Sequence, residues 1–492
     1  MRVWIMDMTE EYWIIENKSK RFMGKNCFEL ENVLVNMNKN DVILFNGELN
    51  KLLKYFNEGG LRFYDEYRVA TNRNKLIYNL RYLTNNKNIY FRPIKSFIGE
   101  SFNGEIEDNL SKMWIAIDEL VKATGNQTFY RSRSIDDIIK QDWRQKVDYE
   151  HNFKDQITKE QFYELKQWVI GASRFINHHY KNKIVKVKAF DINACYQAIW
   201  ETMPMPKGKM LECKDVCAHE LQLVKFRISA KVKPNHIPFL TRKQINFNFN
   251  DFETPMEEMF DEEMFRTRAE FEMISDFYDI ENIEILKVYC FETYEGNGFK
   301  EFNDFWHPIK VGATSKKLKS AIKVGENKII GTMASERMLI TSRSLVKAID
   351  GNSNVLIEDK EFGAIAVPYI PLYIFITAWA RTRLTLISQH FINYVVATNT
   401  DSIVVLKDLP DEEFEAILEV HPTKLGAFKR ETSGDWGYFH TPSHYLRATS
   451  KDKAGDILTY KWAGKKDNSL WAMSLNDAID KLETEIIKGE IN

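Results

Sequence analysis

The sequence predicts a mixed α/β (α+β) protein that is built from several subdomains. Its 492 residues are too many for one hydrophobic core. Between residues 1 and 125, short β-like runs such as "DVILFNG" alternate with helical runs such as "LSKMWIAIDELVKAT". A long apolar helix, "LYIFITAWARTRLTLISQHF", then directly precedes two apolar runs joined by a polar turn, "INYVVATNTDSIVVL".

Composition sets limits on the class of protein. With 44% hydrophobic residues, 28% charged residues and a net charge of -2, the chain carries no global basic signal, so any nucleic-acid site must come from local patches. The five cysteines are too few and too scattered for a disulfide framework. They indicate reduced thiols and a protein of the reducing cytosol. They are Cys27, Cys195, Cys213, Cys217 and Cys290.

Nothing in the sequence favours a membrane protein. The start, "MRVWIMDMTEEYW", lacks the basic and apolar segments of a signal peptide. The apolar stretch 363–380 contains Pro368 and Pro371 and is followed by Arg381 and Arg383, which favours a buried core helix. We therefore expect a cytoplasmic protein that has no membrane partner. We also expect it to be a monomer.

The remaining elements follow in chain order. Lys181, Lys183, Lys186 and Lys188 alternate with apolar residues, which predicts a strand with one solvated basic face running into Asp191. The acidic run "DFETPMEEMFDEEMF" is interpreted as a solvated helix face. Residues 314–334 predict a basic helix, and "VLIEDKEFGAIAV" a hairpin-like segment before the long apolar helix.

Two carboxylates stand where apolar strands end. Asp191 ends "VKAFD", and Asp401 lies in the turn of "INYVVATNTDSIVVL". Two divalent ions roughly 3.5–4 Å apart, held by shared carboxylates, are the usual means of phosphoryl transfer. Two such tips side by side in a sheet would form that site. The alternative is that both residues are turn caps, because Asp is common where strands end.

The basic helix carries a second candidate site. Lys316, Lys319, Lys323 and Asn327 are three or four residues apart and share one face, which suits a triphosphate and the edge of a base. The alternative is an ordinary solvated face.

Together these segments resemble the family B DNA polymerases, and most closely their protein-primed branch from small tailed phages. "FDINACYQAIW" is similar to the first polymerase motif, "KVGENKIIG" to the fingers motif, and "NTDS" to the catalytic turn. "FITAWAR", "KLGAF" and "KWAG" have counterparts in the same order. The resemblance covers residues 165 to 475 well and the N-terminal region weakly.

The resemblance implies a right-hand polymerase fold (palm, fingers and thumb) with two insertions, preceded by an RNase H-like exonuclease remnant. The expected domains, in order, are an exonuclease-like domain (1–125), linker and first palm part (126–205), a first insertion (206–305), fingers (306–338), a second, hairpin insertion (339–366), the second palm part (367–462) and a short thumb (463–492).

The resemblance also implies roles for matched residues. Asp191, Asp401 and the carbonyl of Ile192 would hold two Mg²⁺ or Mn²⁺ ions, and Tyr196 would exclude a 2′-hydroxyl. The incoming deoxynucleotide would meet Lys310, Lys323, Asn327 and Gly331. DNA template and primer would meet Gly171, Ala172 and Tyr445, while Asn399, Thr400 and Ser402 would support the turn.

Several positions depart from the family pattern. In the fingers motif, Lys328 and Ile330 replace a Ser and a Tyr. Ser443 replaces the Lys of a Lys-x-Tyr element, and Asn399 replaces the first acid of the catalytic turn. An Asn supplies no negative charge, so we expect the metals to be held less tightly.

The exonuclease motifs are degenerate. The strand with the first carboxylate pair is expected to be missing, with "RVWIMDMTEEYW" following it. The second motif falls at "FNGELNKLLKYF", which has no Asp, and the third at "GEIEDNLSKMW", where Asp108 remains. One carboxylate cannot hold two metals, so we expect no proofreading.

Three functional hypotheses remain. The first is an exonuclease-deficient, protein-primed DNA polymerase (nucleotidyltransferase) that replicates a phage genome or mobile element with a terminal protein as partner. The second is a specialised repair polymerase that extends ordinary primers. The third is a non-enzymatic DNA-binding descendant, against which the retained Asp191 and Asp401 argue.

Overall fold

In a computed structural model of the chain, the described residues form two compact units. One contains residues 1–148 and 301–366, and the other residues 149–300 and 367–492. The structure describes residues 3–47, 52, 80–124, 134–241, 255–338, 345–349, 355–358, 365–431, 436–448, 458–462 and 471–473, apart from positions 10–11, 39–40, 85–86, 99–100, 172, 336 and 442–443.

The strands are, in chain order, β1 (Val3–Met8), β2 (Trp13–Glu16), β3 (Arg21–Gly24), β4 (Val42–Phe45), β5 (Leu80–Thr84), β6 (Lys87–Pro93), β7 (Ser173–Ile176), β8 (Ile184–Ile192), β9 (Pro206–Cys213), β10 (Gln222–Val232), β11 (Glu258–Thr267), β12 (Tyr278–Thr293), β13 (Arg337–Met338), β14 (Leu345–Ile349), β15 (Val355–Glu358), β16 (Ile365–Ala366), β17 (Val395–Thr400), β18 (Ser402–Leu406), β19 (Phe428–Arg430), β20 (Trp436–Thr441), β21 (His444–Ala448), β22 (Leu458–Trp462) and β23 (Trp471–Met473).

The helices are α1 (Cys27–Val35), α2 (Lys95–Ile98), α3 (Ile106–Thr124), α4 (Ile135–Lys146), α5 (Tyr149–Asn152), α6 (Lys159–Lys166), α7 (Cys195–Thr202), α8 (Arg268–Glu272), α9 (Ile274–Phe277), α10 (Gly298–Gly312), α11 (Lys316–Met333), α12 (Ile370–His390) and α13 (Asp411–Ile417).

The first unit contains a six-stranded sheet in the order β3-β2-β1-β4-β6-β5. β1, β4 and β6 are parallel, and the other strands are antiparallel to their neighbours. The expectation that the first strand of this domain is missing is wrong, because Val3–Met8 itself lies at the sheet centre. Its Ile5 and Met6 are fully buried, as apolar residues of a central parallel strand should be.

Helices α4 and α11 pack together in the same unit. Ser134 and Ser315 cap their N-termini through hydroxyls that accept hydrogen bonds from the backbone N–H groups of Asp137 and Leu318, both at 3.2 Å. A close approach is possible at Gly325, where a Cβ atom would lie 2.6 Å from Cδ1 of Ile139. The predicted basic helix is thus confirmed as α11. β14 and β15 pair antiparallel, whereas β16 pairs with β13. The two described strands within "VLIEDKEFGAIAV" therefore do not pair with each other, and the hairpin predicted there is wrong.

The second unit is built on a nine-stranded sheet. Its strands follow the order β23-β22-β21-β20-β8-β18-β17-β7, and β19 also pairs with β8. Val187, Ala189, Val396 and Val404 form a buried cluster on this sheet. The predicted apolar helix is confirmed as α12. In the part of the chain that the structure describes, no helix combines the length and apolarity of a membrane span.

The lysine-rich segment differs from its prediction in two ways, because Lys181 and Lys183 precede β8 and Lys188 is buried. Lys181, Lys183 and Lys186 are exposed, as expected of a solvated basic face. Lys188, however, is only 7% exposed and forms an ion pair with Asp411 at 2.5 Å. The basic face therefore ends before the strand reaches Asp191.

A four-stranded sheet in the order β11-β10-β12-β9 completes the second unit. From Glu258 on, the acidic run is strand β11, so its interpretation as a helix face is wrong there, and residues 251–254 lie outside the described residues. Met259 and Met264 of that strand are buried in the core. Its acidic residues meet cations on β10 across the strand pair, as in the Lys225–Glu263 ion pair at 3.3 Å.

Two cysteines also depart from expectation. Cys213 on β9 and Cys290 on β12 form a disulfide across 77 residues of sequence, with their Cα atoms 6.2 Å apart. The expectation of reduced thiols is wrong for this pair, because pairing of β9 with β12 brings together residues that are distant along the chain. Cys195 and Cys217 are free thiols.

Two glycines on α11 should respond in opposite ways to substitution by Ala. Gly331→Ala is expected to raise the free energy of unfolding by about 0.5–1 kcal/mol, and with it the midpoint of thermal unfolding. The reason is that nothing lies within 4 Å of its Cβ position. Gly325→Ala is expected to lower it, because the new methyl group meets buried Ile139. Circular dichroism melts measure both, and an equal rise in the two variants would contradict the tight α4–α11 contact.

Candidate active site

Strand pairing in the second unit places Asp191 beside the turn that carries Asp401. Asp191 on β8 is the direct partner of Ser402 on β18, the residue after Asp401. The backbone N–H of Ile192 donates to the carbonyl of Asp401 at 2.8 Å. The ends of two strands that are distant in sequence therefore lie next to each other, with both carboxylate residues partly exposed.

Asp191 and Ser402 belong to a polar row that crosses five strands. The row runs through direct cross-strand partners from β7 to β19: Arg174, Asn399, Ser402, Asp191 and Lys429. Direct partners point to the same face of a sheet. One sheet face thus carries a carboxylate, an amide and a hydroxyl between two cations.

Asn399 organises the turn itself. Its backbone carbonyl accepts hydrogen bonds from the N–H of Asp401 at 2.8 Å and from the hydroxyl of Ser402 at 3.0 Å. Its side-chain oxygen accepts a third, from the hydroxyl of Thr400 at 3.1 Å. Three hydrogen bonds therefore fix the segment that presents Asp401.

The turn is also strained. Thr400 has a φ of +62°, a left-handed conformation that is unfavourable for a β-branched residue. A hydrogen bond from residue i+2 to residue i encloses it, as in a γ-turn of the rare type. Backbone strain of this kind persists only where surrounding contacts over-determine it, and it clusters at functional sites.

Helix α7 begins at Cys195, four residues after Asp191, and carries Tyr196 in its first turn. Ala194, with a φ of +46°, precedes the helix. Burial raises the pKa of the Tyr196 hydroxyl, and Tyr373, Cys195 and Asp401 raise it further, against the effect of Arg381. Tyr196 is therefore a protonated, half-buried aromatic within electrostatic range of Asp401.

Both Asp191 and Asp401 influence the pKa of the buried Cys195 thiol. Burial is the main cause that raises its pKa, and Asp401 and Asp191 both add to it, whereas Arg383 opposes it. The two carboxylates thus act on one atom at the start of α7. Carboxylates and a backbone carbonyl are the oxygen ligands that Mg²⁺ prefers, so Asp191, Asp401 and Ile192 fit a divalent cation. Nowhere in the described ranges do three or more His, Cys, Asp or Glu residues form a metal-binding group.

Arg174 is a site residue that sequence reasoning missed. Burial lowers its pKa, while Tyr196, Tyr373 and Tyr445 exert the opposite effect, which places it among three tyrosines. Tyr445, expected at the DNA, also stacks on Phe439 with ring centres 5.5 Å apart. The only sequence signal for Arg174 was a charged residue inside the short strand "SRFI".

Arg381 on α12 holds the segment before β7. Its guanidinium donates to the carbonyls of Ile170 at 3.0 Å and Gly171 at 2.7 Å, and its Nε donates to Glu270 at 2.8 Å. Burial disfavours the charged form of Glu270, but Arg381 and Arg266 nevertheless hold the pKa of its carboxyl below its ordinary value. Gly171 is exposed, and Ala172 lies outside the described residues.

The candidate nucleotide-binding residues lie in the first unit, on α10 and α11. Lys316, Lys319, Lys323 and Asn327 are exposed along one face of α11, and Gly331 is exposed beyond them. Ile330, which stands at the family's Tyr position, is 2% exposed and belongs to the core. Lys310 differs from the other lysines because it is 9% exposed and forms an ion pair with Glu326.

Strand β1 of the six-stranded sheet in the first unit carries a buried carboxylate. Asp7 on β1 is 3% exposed, and its Oδ2 accepts a hydrogen bond from the amide of Asn109 at 2.8 Å. Burial raises its pKa, against hydrogen bonds from Asn109, Asn46 and the backbone of Met8. Two amides therefore surround a single acid.

Asp108 is not the surviving acid of this site. It is exposed on α3 and forms an ion pair with Lys112 one turn further on. The neighbouring residue, Asn109, is 4% exposed and contacts Asp7. The expectation for Asp108 was wrong because adjacent residues of a helix point in directions about 100° apart.

Comparisons with known proteins agree with the predicted fold. No protein-family model matches the chain. It is 26% identical over 280 residues to the DNA polymerase of Bacillus phage Nf, and 26% identical over 271 residues to that of Bacillus phage phi29. These matches cover 55% and 54% of this chain and 47% and 45% of the relatives, so the chain spans about half the length of the curated relatives it matches.

The fold is that of a solved phage polymerase. The structure of phi29 DNA polymerase in complex with primer-template DNA and incoming nucleotide substrates matches with a TM-score of 0.71 at 16% identity, covering 97% of this chain and 93% of that one. The complex of phi29 DNA polymerase with primer-template DNA alone matches with a TM-score of 0.66, also at 16% identity, over 97% and 93% of the two chains. The expected right-hand polymerase fold and the resemblance to phage polymerases are thereby confirmed.

Proposed function

We propose that this chain, which is homologous to phi29-type phage DNA polymerases, is a DNA-templated DNA polymerase that adds deoxynucleotides to a 3′ hydroxyl. One observation carries the proposal: within a polymerase fold, pairing of β8 with β18 sets Asp191 beside Asp401. The proposed reaction is phosphoryl transfer assisted by two divalent ions, Mg²⁺ or Mn²⁺.

Asp191 and Asp401 would hold these ions, with the carbonyl of Ile192 as a further ligand. Bound there, the ions supply charge neutralisation for the attacking and leaving oxygens. The chain's own contribution is rigid presentation of the carboxylates, since the β8–β18 ladder and the Asn399-centred turn fix their backbone.

Selection of the sugar is assigned to Tyr196. Its half-buried ring lies in the first turn of α7, four residues after the last residue of β8. A half-buried ring near the carboxylates would collide with a 2′-hydroxyl and admit a deoxyribose. A tyrosine hydroxyl is neutral at physiological pH, and burial raises its pKa further, so it adds no charge to repel a triphosphate.

Nucleotide and DNA contacts are proposed on both units. Exposed Lys323 and Asn327, with Gly331 and Lys310, would meet the incoming nucleotide. Gly171 and Ala172, together with Tyr445, would meet the template and primer. Cations such as Arg174 and Lys429 in the polar row would attract phosphates to the same sheet face as Asp191, which makes DNA binding sensitive to salt.

We further propose that the chain does not proofread. A two-metal exonuclease needs several carboxylates, and Asp7 stands between the amides of Asn46 and Asn109. A carboxylate whose oxygens already accept hydrogen bonds from two amides is less available to a metal ion.

Primer extension tests the proposal. We expect the wild type to extend a DNA primer with Mg²⁺ or Mn²⁺, and not to shorten the primer when deoxynucleotides are omitted. Asp191→Ala and Asp401→Ala should each lower kcat by at least about a thousandfold, because one metal ligand is lost. Asp411→Ala, at an acid that binds Lys188 and Arg430 instead, is the control. Equal extension by Asp401→Ala and the wild type would refute the mechanism.

The substitution Asn399→Asp tests the weakened turn. It adds a negative charge next to the metal ligands and keeps the side-chain oxygen that Thr400 binds. The Mg²⁺ concentration for half-maximal extension should therefore fall. An unchanged metal titration, with unchanged thermal stability, would show that position 399 does not influence the metals.

Priming by a terminal protein is the finer part of the proposal. The four-stranded sheet β11-β10-β12-β9 lies in the segment expected to be the first insertion, which in the family embraces that protein. We expect a hydroxyl of the cognate terminal protein to become covalently linked to a labelled deoxynucleotide. Extension of ordinary primers without such labelling would favour the repair polymerase instead. The expected site of action is the host cytoplasm.

A further inference from the structure

The ion pair between Lys310 and Glu326 is unlike the other contacts of the candidate nucleotide-binding residues. Lys310 Nζ lies 2.5 Å from Oε2 of Glu326, and the two residues are 9% and 2% exposed. The remaining lysines of the candidate site lie on the exposed face of α11. The one buried carboxylate on this helix therefore binds one of the cations expected to meet a triphosphate.

Glu326 acts on Lys323 as well. Burial raises the pKa of its carboxyl, but Lys310 first and Lys323 second work against that effect. Lys323 precedes Glu326 by three residues on α11, so the two side chains are neighbours on the helix. A single carboxylate thus sits within electrostatic reach of both lysines assigned to the triphosphate.

A carboxylate and a phosphate oxygen compete for the same ammonium donors. Each is an anionic acceptor that takes a short, charge-assisted hydrogen bond from a Lys. While Lys310 binds Glu326, its charge is offset within the protein. A triphosphate that uses Lys310 must first separate a buried pair, which leaves Glu326 without its main partner.

We infer that Glu326 is an internal competitor of the incoming triphosphate: it holds Lys310 in the nucleotide-free protein and releases it when phosphate binds. Glu326 is then an affinity-setting, positioning residue of the nucleotide site. The inference rests on the proposed polymerase function for its biological meaning, but the competition itself concerns any polyphosphate.

The test is Glu326→Gln, which removes the charge and keeps the shape. We expect the dissociation constant for tripolyphosphate, measured by calorimetry without DNA or metal, to fall by about three- to tenfold. In primer extension, KM for the deoxynucleotide should fall while kcat changes less. Unchanged or weaker binding in a folded Glu326→Gln protein would overturn the inference.

A double variant decides whether Lys310 is the released group. In Lys310→Met/Glu326→Gln the gain in tripolyphosphate affinity should disappear, since no cation is freed. A gain that persists in the double variant would overturn the role of Lys310. Circular dichroism melts establish that each protein is folded. If Glu326→Gln does not fold, Glu326→Asp, which keeps the charge but shortens the side chain, should give a smaller gain in the same direction, and no gain would refute the competition.

Asp136→Asn is the matched control. Asp136 lies on α4 and forms an ion pair with Lys328, which is on α11. The substitution therefore also removes the carboxylate that pairs with a lysine of α11. Lys328 lies outside the candidate phosphate face, and tripolyphosphate affinity should stay within about twofold of the wild type. An equal gain here would mean that any lost negative charge suffices, which overturns a specific role for Glu326.

The two proposals can fail separately. A wild type that binds tripolyphosphate, responds to Glu326→Gln as expected and still extends no primer would refute the polymerase function and support the competition. If the wild type extends primers and Glu326→Gln leaves the KM for the deoxynucleotide unchanged, the polymerase function is supported and the competition is refuted.

Discussion

The register between β8 and β18 is the constraint on which the candidate active site depends. It makes Asp191 the partner of Ser402 and allows the N–H of Ile192 to bind the carbonyl of Asp401. A slip of one residue would turn Asp191 to the opposite face of the sheet. Buried Ala189 and Val404 are partners in the same ladder and oppose such a slip, so the hydrophobic core of the second unit also fixes the position of the proposed metal ligands.

The sequence revealed the two strand ends that carry the carboxylates, but not which other strands pair beside them. Apolar runs that stop at Asp191 and Asp401 are local patterns, and both were found from the sequence. Arg174 and Lys429 are separated from them in sequence, and only strand pairing places all of them in one row. The disulfide between Cys213 and Cys290 was missed for the same reason, because it depends on a strand pair that closes 77 residues of chain.

Two local errors have different physical causes. The acidic strand β11 has charged residues between buried Met259 and Met264, and a short run with so many acids fits a helix face as easily as a strand until its partner β10 is known. On α3, the family pattern placed the surviving acid at Asp108, whereas Asn109 faces Asp7. A motif locates a helix to within a residue, but the direction of each side chain changes by about 100° per residue.

The candidate metal site and the candidate triphosphate site both differ in charge from the family pattern. One lacks a negative charge and the other has an additional one. At the turn, Asn399 lacks a negative charge that would attract the metals. On α11, Glu326 adds a negative charge among the lysines expected to bind the triphosphate. A deoxynucleotide reaches a polymerase as a complex of metal and triphosphate, so the first change would weaken binding of the cation and the second would weaken binding of the anion. In the proposed polymerase both changes would loosen nucleotide binding, while the β8–β18 ladder would keep the candidate metal ligands aligned once a nucleotide is bound.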